Sequence, residues 1–227
     1  MLVRNWMNPT ILSIDAKTSM AEALNLMKEN QIKTLPVFDH EALAGVLTDR
    51  DLKRASASDA TLLEIHELLH LLTRIKVRDI MSRNPITIPE NYTVEEAAEI
   101  LRDHHISGAP VMDAQGRMVG MISQNDLFNA LMSLTGIKRR GIHLAFEVED
   151  RPGSIKDLTD IIRRYGGRMA SILSSYDRAP QGTRYVYIRA HQVDRDKMAG
   201  MLDELQATAQ LRYLVDHREN RREIFTV

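Results

Sequence analysis

The sequence predicts an α+β protein: two copies of a strand–helix–strand–strand–helix unit, then a third segment reading strand–helix–strand–strand–helix–strand. Three observations carry this. Ile32, Pro36-Val37, Asp39, Gly45 through Thr48 and Asp51-Leu52 recur as Ile106, Pro110-Val111, Asp113, Gly120 through Ser123 and Asp126-Leu127. The offset is 74 residues up to the aspartate and 75 from the glycine onward. Each copy also carries a hydroxyl residue followed three positions later by glutamate, Ser19/Glu22 and Thr93/Glu96, the reciprocal pattern that opens a helix. Beyond residue 141 the repeat stops and short apolar runs alternate with helical stripes around breaker clusters. A duplicated unit covers its apolar face with its twin, so clefts are expected between the copies.

In the first copy, residues 10–14 read as a short strand after Pro9. A helix follows from Ser19, with Met20, Ala23, Leu24 and Met27 at helical spacing. Residues 35–38 and 43–47 are apolar runs joined by the turn-like Asp39-His40-Glu41, and a second helix starts after Thr48. The second copy gives a strand at 85–88, a helix from Thr93 with Val94, Ala97, Ala98 and Leu101 as its stripe, and paired strands at 109–112 and 118–122. Between the copies, residues 56–76 are strongly helical in character. Their leucine content predicts packing on the pair or on another subunit. In the third segment, strands are expected at 142–148, 169–176, 184–190 and 210–215, and helices from Ile155 to Gly166 and over 194–205. That order is the ferredoxin-like arrangement. The domain organisation is 1–75, 76–138 and 141–215, with 216–227 as a charged tail, mobile or used against a partner.

Composition narrows the function classes. The chain has 227 residues, 44% hydrophobic and 27% charged, ordinary for a globular protein. A net charge of −1 argues against a nucleic-acid partner held by a broad basic field. The lack of cysteine excludes disulfides, thiol catalysis and zinc-thiolate sites and fits a reducing compartment. No apolar run approaches membrane-spanning length, and the first residues lack a signal-peptide layout. The expectation is a cytoplasmic protein with neither nucleic acid nor membrane as partner.

The repeated Gly-x-x-Thr/Ser-x-x-Asp places Thr48 and Ser123 at helix starts, where hydroxyls and unpaired amides can hold a phosphate. Asp51 and Asp126 lie within the first turn and can accept two hydrogen bonds from a ribose diol. The strands before Asp39 and Asp113 are expected to frame an apolar slot for adenine. The same residues also make good helix caps, with an acid favoured by the helix dipole. Lys33, Arg50, Arg54, His104 and His105 lie close in sequence to the expected clefts. If two or more converge, a di- or triphosphate is favoured over a neutral nucleoside. Met7 and Met81, in matching lead-in segments, read as core residues.

Following a Pro-Val strand and preceding a helix, this signature resembles that of the CBS domain. Two tandem copies over residues 1–137 resemble a Bateman module. The resemblance implies AMP, ADP, ATP or S-adenosylmethionine as a regulatory ligand between the copies, with Thr48, Asp51, Ser123 and Asp126 as its site, and no cofactor or metal. Asp150-Arg151-Pro152-Gly153-Ser154-Ile155, between a first strand and a first helix, is similar to the ACT-domain motif, with isoleucine where leucine is usual. That implies pairing of two such domains and a small effector such as an amino acid at Asp150, Gly153, Ser154 and Ile155. Gly153 permits close backbone approach, and the amides of Ser154 and Ile155 face a carboxylate. The alternative is that Pro152 and Gly153 only make the turn.

His66-Glu67-Leu68-Leu69-His70 fits His-Glu-x-x-His, which on a helix sets two histidines on one face as in zinc hydrolases. It falls in the connector among leucines, so zinc hydrolysis through His66, Glu67 and His70 is only a remote alternative. No phosphate-binding loop or nucleophile elbow is present. The order CBS–CBS–ACT resembles the bacterial acetoin-utilisation protein B family, which implies a regulatory role. The expected function is a non-enzymatic sensor, a homodimer acting on an unidentified protein target. The rival is a scaffold with vestigial ligand sites.

Overall fold

The computed structural model describes residues 1–59 and 72–225, so the His66, Glu67 and His70 reading lies outside the described residues. No described helix is long and apolar enough to cross a membrane. The chain divides into two compact units, Met1–Phe128 and Asn129–Val227.

In the first unit each copy folds the same way. The first has β1 (Ile14–Asp15), α1 (Met20–Glu29), β2 (Thr34–Asp39), β3 (Ala42–Thr48) and α2 (Asp49–Asp59). After the short α3 (Val77–Ile80) and β4 (Ser82–Arg83), the second has β5 (Ile88–Pro89), α4 (Val94–Asp103), β6 (Gly108–Met112), β7 (Met118–Ser123) and the start of α5 (Gln124–Leu134). Both helix-start patterns close as reciprocal boxes. Glu22 accepts from the Ser19 amide at 2.9 Å while Ser19 accepts from the Glu22 amide at 3.3 Å, and Thr93 and Glu96 do the same at 2.7 and 3.2 Å. Register repeats as well. Val37 sits opposite Gly45 and Val111 opposite Gly120, and each strand pair is irregular at the next step, Val37/Phe38 and Val111/Met112.

The copies interlock. Residues leading into the first copy pack on the second: a 3-10 turn at Val3–Asn5 buries Val3 in the second core beside Ile88, Leu101 and Ile122, and Asn8 pairs with Met121. The segment leading into the second copy packs on the first: Val77 joins Met20, Leu35 and Leu47, and β4 adds to β3. Each exchange presses a backbone against the glycine of the repeat. A Cβ on Gly45 would lie 2.6 Å from the Ser82 carbonyl oxygen, and one on Gly120 2.7 Å from that of Asn8. The expected boundary at 75/76 is therefore too simple, because each half of the pair borrows its lead-in from the other. Met7 and Met81 pack against these cores, as expected.

Two strands are shorter than expected. Residues 10–13 and 85–87 are not ladder-paired, since β1 and β5 begin only at Ile14 and Ile88 and pair in parallel with β2 and β6.

The second unit places β8 (Ile142–Glu149), α6 (Ser154–Arg164), β9 (Arg168–Ser175), β10 (Thr183–His191), α7 (Met198–Thr208), β11 (Gln210–Asp216) and β12 (Arg221–Ile224). The antiparallel sheet runs β12-β11-β8-β10-β9. α6 and α7 cover one face through Leu158, Ile162, Met201 and Leu205 against Leu144, Phe146, Val186 and Ile188. Three expectations change here. The tail is not loose, because Arg221–Ile224 forms an edge strand on β11, with Tyr213 opposite Ile224. The last helix starts at Met198 rather than 194, because Asp194 accepts from the Asp196 amide at 3.1 Å and pairs with Lys197 at 3.1 Å, closing a local turn. The units divide at 128/129 rather than near 138–141. The chain after α5 is tied to the second unit: the Thr135 carbonyl accepts from Arg189 Nε at 2.7 Å and Ser171 Oγ at 2.9 Å.

Charge is drawn into this unit. Asp216 is 2% exposed and takes both Arg195 guanidinium nitrogens and the amides of Arg218 and Glu219. Burial pushes its carboxyl up, and these bonds outweigh that and hold it below the usual range. Burial, then the neighbouring Arg189 and His217 charges, push the His143 imidazole down to about 4.

Candidate functional site

The first unit holds two clefts, each walled by both copies. Thr48, Asp49, Arg50, Asp51 and Arg54, at the β3–α2 junction, meet Arg83 through Ile86 and His104 through Gly108 across a cavity of about 550 Å³. Ser123, Gln124, Asn125 and Asp126, at the β7–α5 junction, meet Asn8, Thr10, Leu12 and residues 31–34 across one of about 380 Å³. The linings correspond under the repeat offsets: Leu12 to Ile86, Gln31 to His105, Ile32 to Ile106, Met121 to Val46, Ser123 to Thr48, Asp126 to Asp51. The four repeat residues singled out from sequence thus fall two to each cleft.

The junction geometry follows from the sequence. Each hydroxyl residue ends a strand, and the aspartate three positions on lies in the first helical turn. Thr48 Oγ1 donates to Asp51 Oδ2 at 2.6 Å, the Thr48 amide donates to the same oxygen at 3.0 Å, and the Asp51 amide donates back to Oγ1 at 3.2 Å. Ser123 Oγ and amide donate to Asp126 Oδ2 at 2.6 and 2.8 Å. The reciprocal cap is complete at Thr48 and Asp51 and half-made at Ser123 and Asp126, and each hydroxyl hydrogen expected to face a phosphate is directed to its own aspartate. The remaining carboxylate oxygens differ. Asp51 Oδ1 accepts from Arg54 Nη2 at 2.7 Å, whereas Asp126 Oδ1 has no hydrogen bond among the described residues.

The apolar walls are not where the sequence placed them. β2 and β6 turn Leu35, Val37, Ala109 and Val111 wholly into the cores. The clefts take their apolar surface from Leu12, Ile32 and Met121 and from Ile86, Ile106 and Val46. Arg83 was missed, as were the other lead-in residues. The repeat itself was the available signal, since Thr10 and Asn84 occupy matching places ahead of their helices.

In the second unit, Gly153 adopts φ 90° and precedes α6 without a side-chain cap, so the turn requires glycine. Ser154 is buried, and its amide is directed to the Arg151 carbonyl at 3.4 Å rather than presented to a ligand, which corrects the expectation for that amide. Ile155 packs against the core. Arg184, unanticipated from sequence, donates to Ser154 Oγ at 3.1 Å and lies 3.6 Å from Asp150. The structure brings Asp150 and Ser154 together around Arg184. No group of three or more potential metal ligands occurs among the described residues.

Comparison with known proteins agrees with the architecture of the first unit. The CBS-domain family model matches residues 3–58 and 77–133. A CBS domain-containing protein of Dictyostelium discoideum is 36% identical over 134 residues, covering 59% of this chain and 92% of that protein. The chain belongs to the CBS-domain family. An inosine-5'-monophosphate dehydrogenase of Thermoplasma acidophilum is 32% identical over 117 residues, 52% of this chain; the chain spans only 21% of that enzyme. Among solved structures, the CBS-pair protein CBSX2 of Arabidopsis thaliana is 27% identical, with 61% of this chain and 96% of that one covered and a TM-score of 0.50. CBSX2 has also been crystallised in complex with AMP, a structure that aligns at a TM-score of 0.49.

Proposed function

We propose that this chain is a non-enzymatic regulatory sensor that binds an adenosine-type ligand, AMP, ADP, ATP or S-adenosylmethionine, between its CBS repeats. The observation that carries the reading is the pair of matching clefts. Each sets a carboxylate at a helix start beside a short apolar wall supplied by both copies. Asp51 and Asp126 accept from the ribose hydroxyls, Thr48 and Ser123 turn their hydroxyls toward the ligand as the aspartates are released, and the isoleucine, leucine and methionine walls flank the base. Because both copies wall each cleft, a ligand that favours one angle between them shifts that angle, and its leverage is its differential affinity for the two states.

In the same reading the second unit is an ACT-like domain of ferredoxin-like order. It supplies homodimer contacts or an amino-acid effector site around Asp150, Gly153, Ser154 and Ile155, and a separate cytoplasmic protein target reads out the change. The sheet order β11-β8-β10-β9 and the glycine turn before α6 support this. The CBS–CBS–ACT order is the basis for placing the chain near the acetoin-utilisation protein B family.

The rival, a scaffold with vestigial sites, draws on the hydroxyl–carboxylate closure seen at both junctions. Thermal denaturation against a panel of adenosine compounds separates them. A ligand at a hundred times its Kd stabilises by about 2.7 kcal/mol. The sensor reading expects a rise in melting temperature that Asp51→Ala, Asp126→Ala or the pair removes. Indifference to every compound favours the scaffold.

A further inference from the structure

The two clefts match in position and differ in charge. We propose that they are tuned to different ligands: the Asp51 cleft takes an adenosine nucleotide with two or more phosphates, and the Asp126 cleft takes an adenosine compound lacking a phosphate chain. This rests on the adenosine reading above and adds to it the class of ligand for each cleft.

Four of the five basic groups flagged from sequence converge on one side. Arg50, Arg54, His104 and His105 line the Asp51 cleft, together with Arg83. The Asp126 cleft has Lys33 as its one basic group and Asp126 as its one acid. At matching positions Arg50 answers Asn125 and His105 answers Gln31; Lys33, opposite Ser107, and Asp49, opposite Gln124, run the other way, and three arginines still outnumber the two acids of the Asp51 cleft. Among the described residues the side chains of Arg50, Arg83 and both histidines have no hydrogen bond or ion pair within the chain. Asp49 and Asp51 line the same cavity, but Asp49 is paired with Lys53 and Asp51 with Arg54, so the Arg50 and Arg83 guanidiniums lack a carboxylate of their own. Phosphate oxygens supply the missing anion, in charge-assisted hydrogen bonds roughly twice as strong as neutral ones.

Arg54 adds a threshold. It holds the outer oxygen of Asp51 at 2.7 Å, the oxygen a ribose hydroxyl needs. A neutral nucleoside that takes Asp51 must displace this guanidinium contact and offers no anion in exchange. A ligand with a phosphate chain offers the guanidinium a replacement. In the Asp126 cleft no such competition occurs among the described residues, because the Asp126 outer oxygen carries no hydrogen bond and the position matching Arg54 is Asn129. There the ribose meets an open carboxylate.

Isothermal titration of the whole chain with adenosine, AMP, ADP and ATP tests this, alongside Arg50→Asn, Asn125→Arg and Asp126→Ala, each checked for folding by circular dichroism. The expected result is one site at which ATP binds at least tenfold more tightly than adenosine. Arg50→Asn weakens that site at least tenfold, and Asp126→Ala leaves it intact. Adenosine binds a second site that Asp126→Ala removes and Arg50→Asn spares, and Asn125→Arg raises the affinity of that second site for ATP. Should adenosine compounds bind with no ranking by phosphate count, or ATP affinity survive Arg50→Asn unchanged, this proposal falls and the adenosine reading stands. If no compound binds in any variant or in the native chain, both fall together.

Discussion

The two units handle charge in opposite ways. In the CBS pair the cleft carboxylates bond to neighbours three residues away, even where one is buried, as Asp51 is at 5% exposed: Thr48 to Asp51, Arg54 to Asp51, Ser123 to Asp126. The cores beneath are aliphatic, held by Met20, Leu35 and Leu47 in one copy and Ile88, Leu101 and Ile122 in the other. In the C-terminal unit buried charge is tied across the fold, Arg195 to Asp216 and Arg189 to the Thr135 carbonyl. Asp216 is sealed under Arg195, Arg189 is 4% exposed, and His143 lies 5.5 Å from Tyr213 in an edge-on contact. Contacts within one helical turn at an open cleft exchange for ligand contacts without moving the chain, while those that join distant segments are costly to open. The pair is thus built to respond, and the C-terminal unit to hold its shape.

The strongest challenge to that contrast is Arg195→Ala. It leaves a buried carboxylate held only by two amides, and a loss of about 3 kcal/mol is expected in chemical denaturation. A loss below 1 kcal/mol would remove the distinction. Gly45→Ala and Gly120→Ala press a methyl group against a backbone oxygen and a methionine, so about 2 kcal/mol each is expected, read as a lower melting temperature. Equal losses confirm that the interlock is symmetric.

His143 gives a pH signature to the second unit. Its folded pKa of about 4 lies below the ordinary 6.5, so the unfolded chain takes the proton first as pH falls. The stability it contributes is present above about pH 6.5 and is lost between there and pH 4. Because the group is only half-buried, solvent screens part of this, and the loss stays below roughly 2 kcal/mol. His143→Phe flattens the denaturation midpoint across that window. Ser19→Ala and Thr93→Ala each remove a helix cap at about 1 kcal/mol. Arg54→Ala, deleting a guanidinium 72% exposed from a carboxylate 7% exposed that keeps the Thr48 hydroxyl and amide, costs about 1 kcal/mol of stability. An effect as large as that of Arg195→Ala would erase the contrast.

The repeat made most of the pair legible, because each motif could be checked against its twin. Strand pairing, both capping boxes and the cleft positions of Thr48, Asp51, Ser123 and Asp126 could all be reached that way. What stayed hidden depends on long-range packing. Nothing local in Val3 or Val77 says that it fills the other copy's core, and nothing in Leu35 or Val37 says that the apolar walls of the clefts must come from elsewhere. Arg221-Arg222-Glu223-Ile224 read as a solvated tail because charges dominate it. On an edge strand such charges discourage further pairing, and only β11 reveals the strand. Arg184 and Ser154 lie thirty residues apart, and only the sheet brings them together.

The exchanged lead-ins bear on how the gene could be divided. A chain cut after residue 75 separates Val3 and Met7 from the hydrophobic cluster they complete, and strips Val77 and β4 from theirs. Neither fragment is a finished module. Co-expressed, the two pieces must find one another to fold, so this protein lends itself to a split reporter whose reassembly tracks occupancy of the clefts.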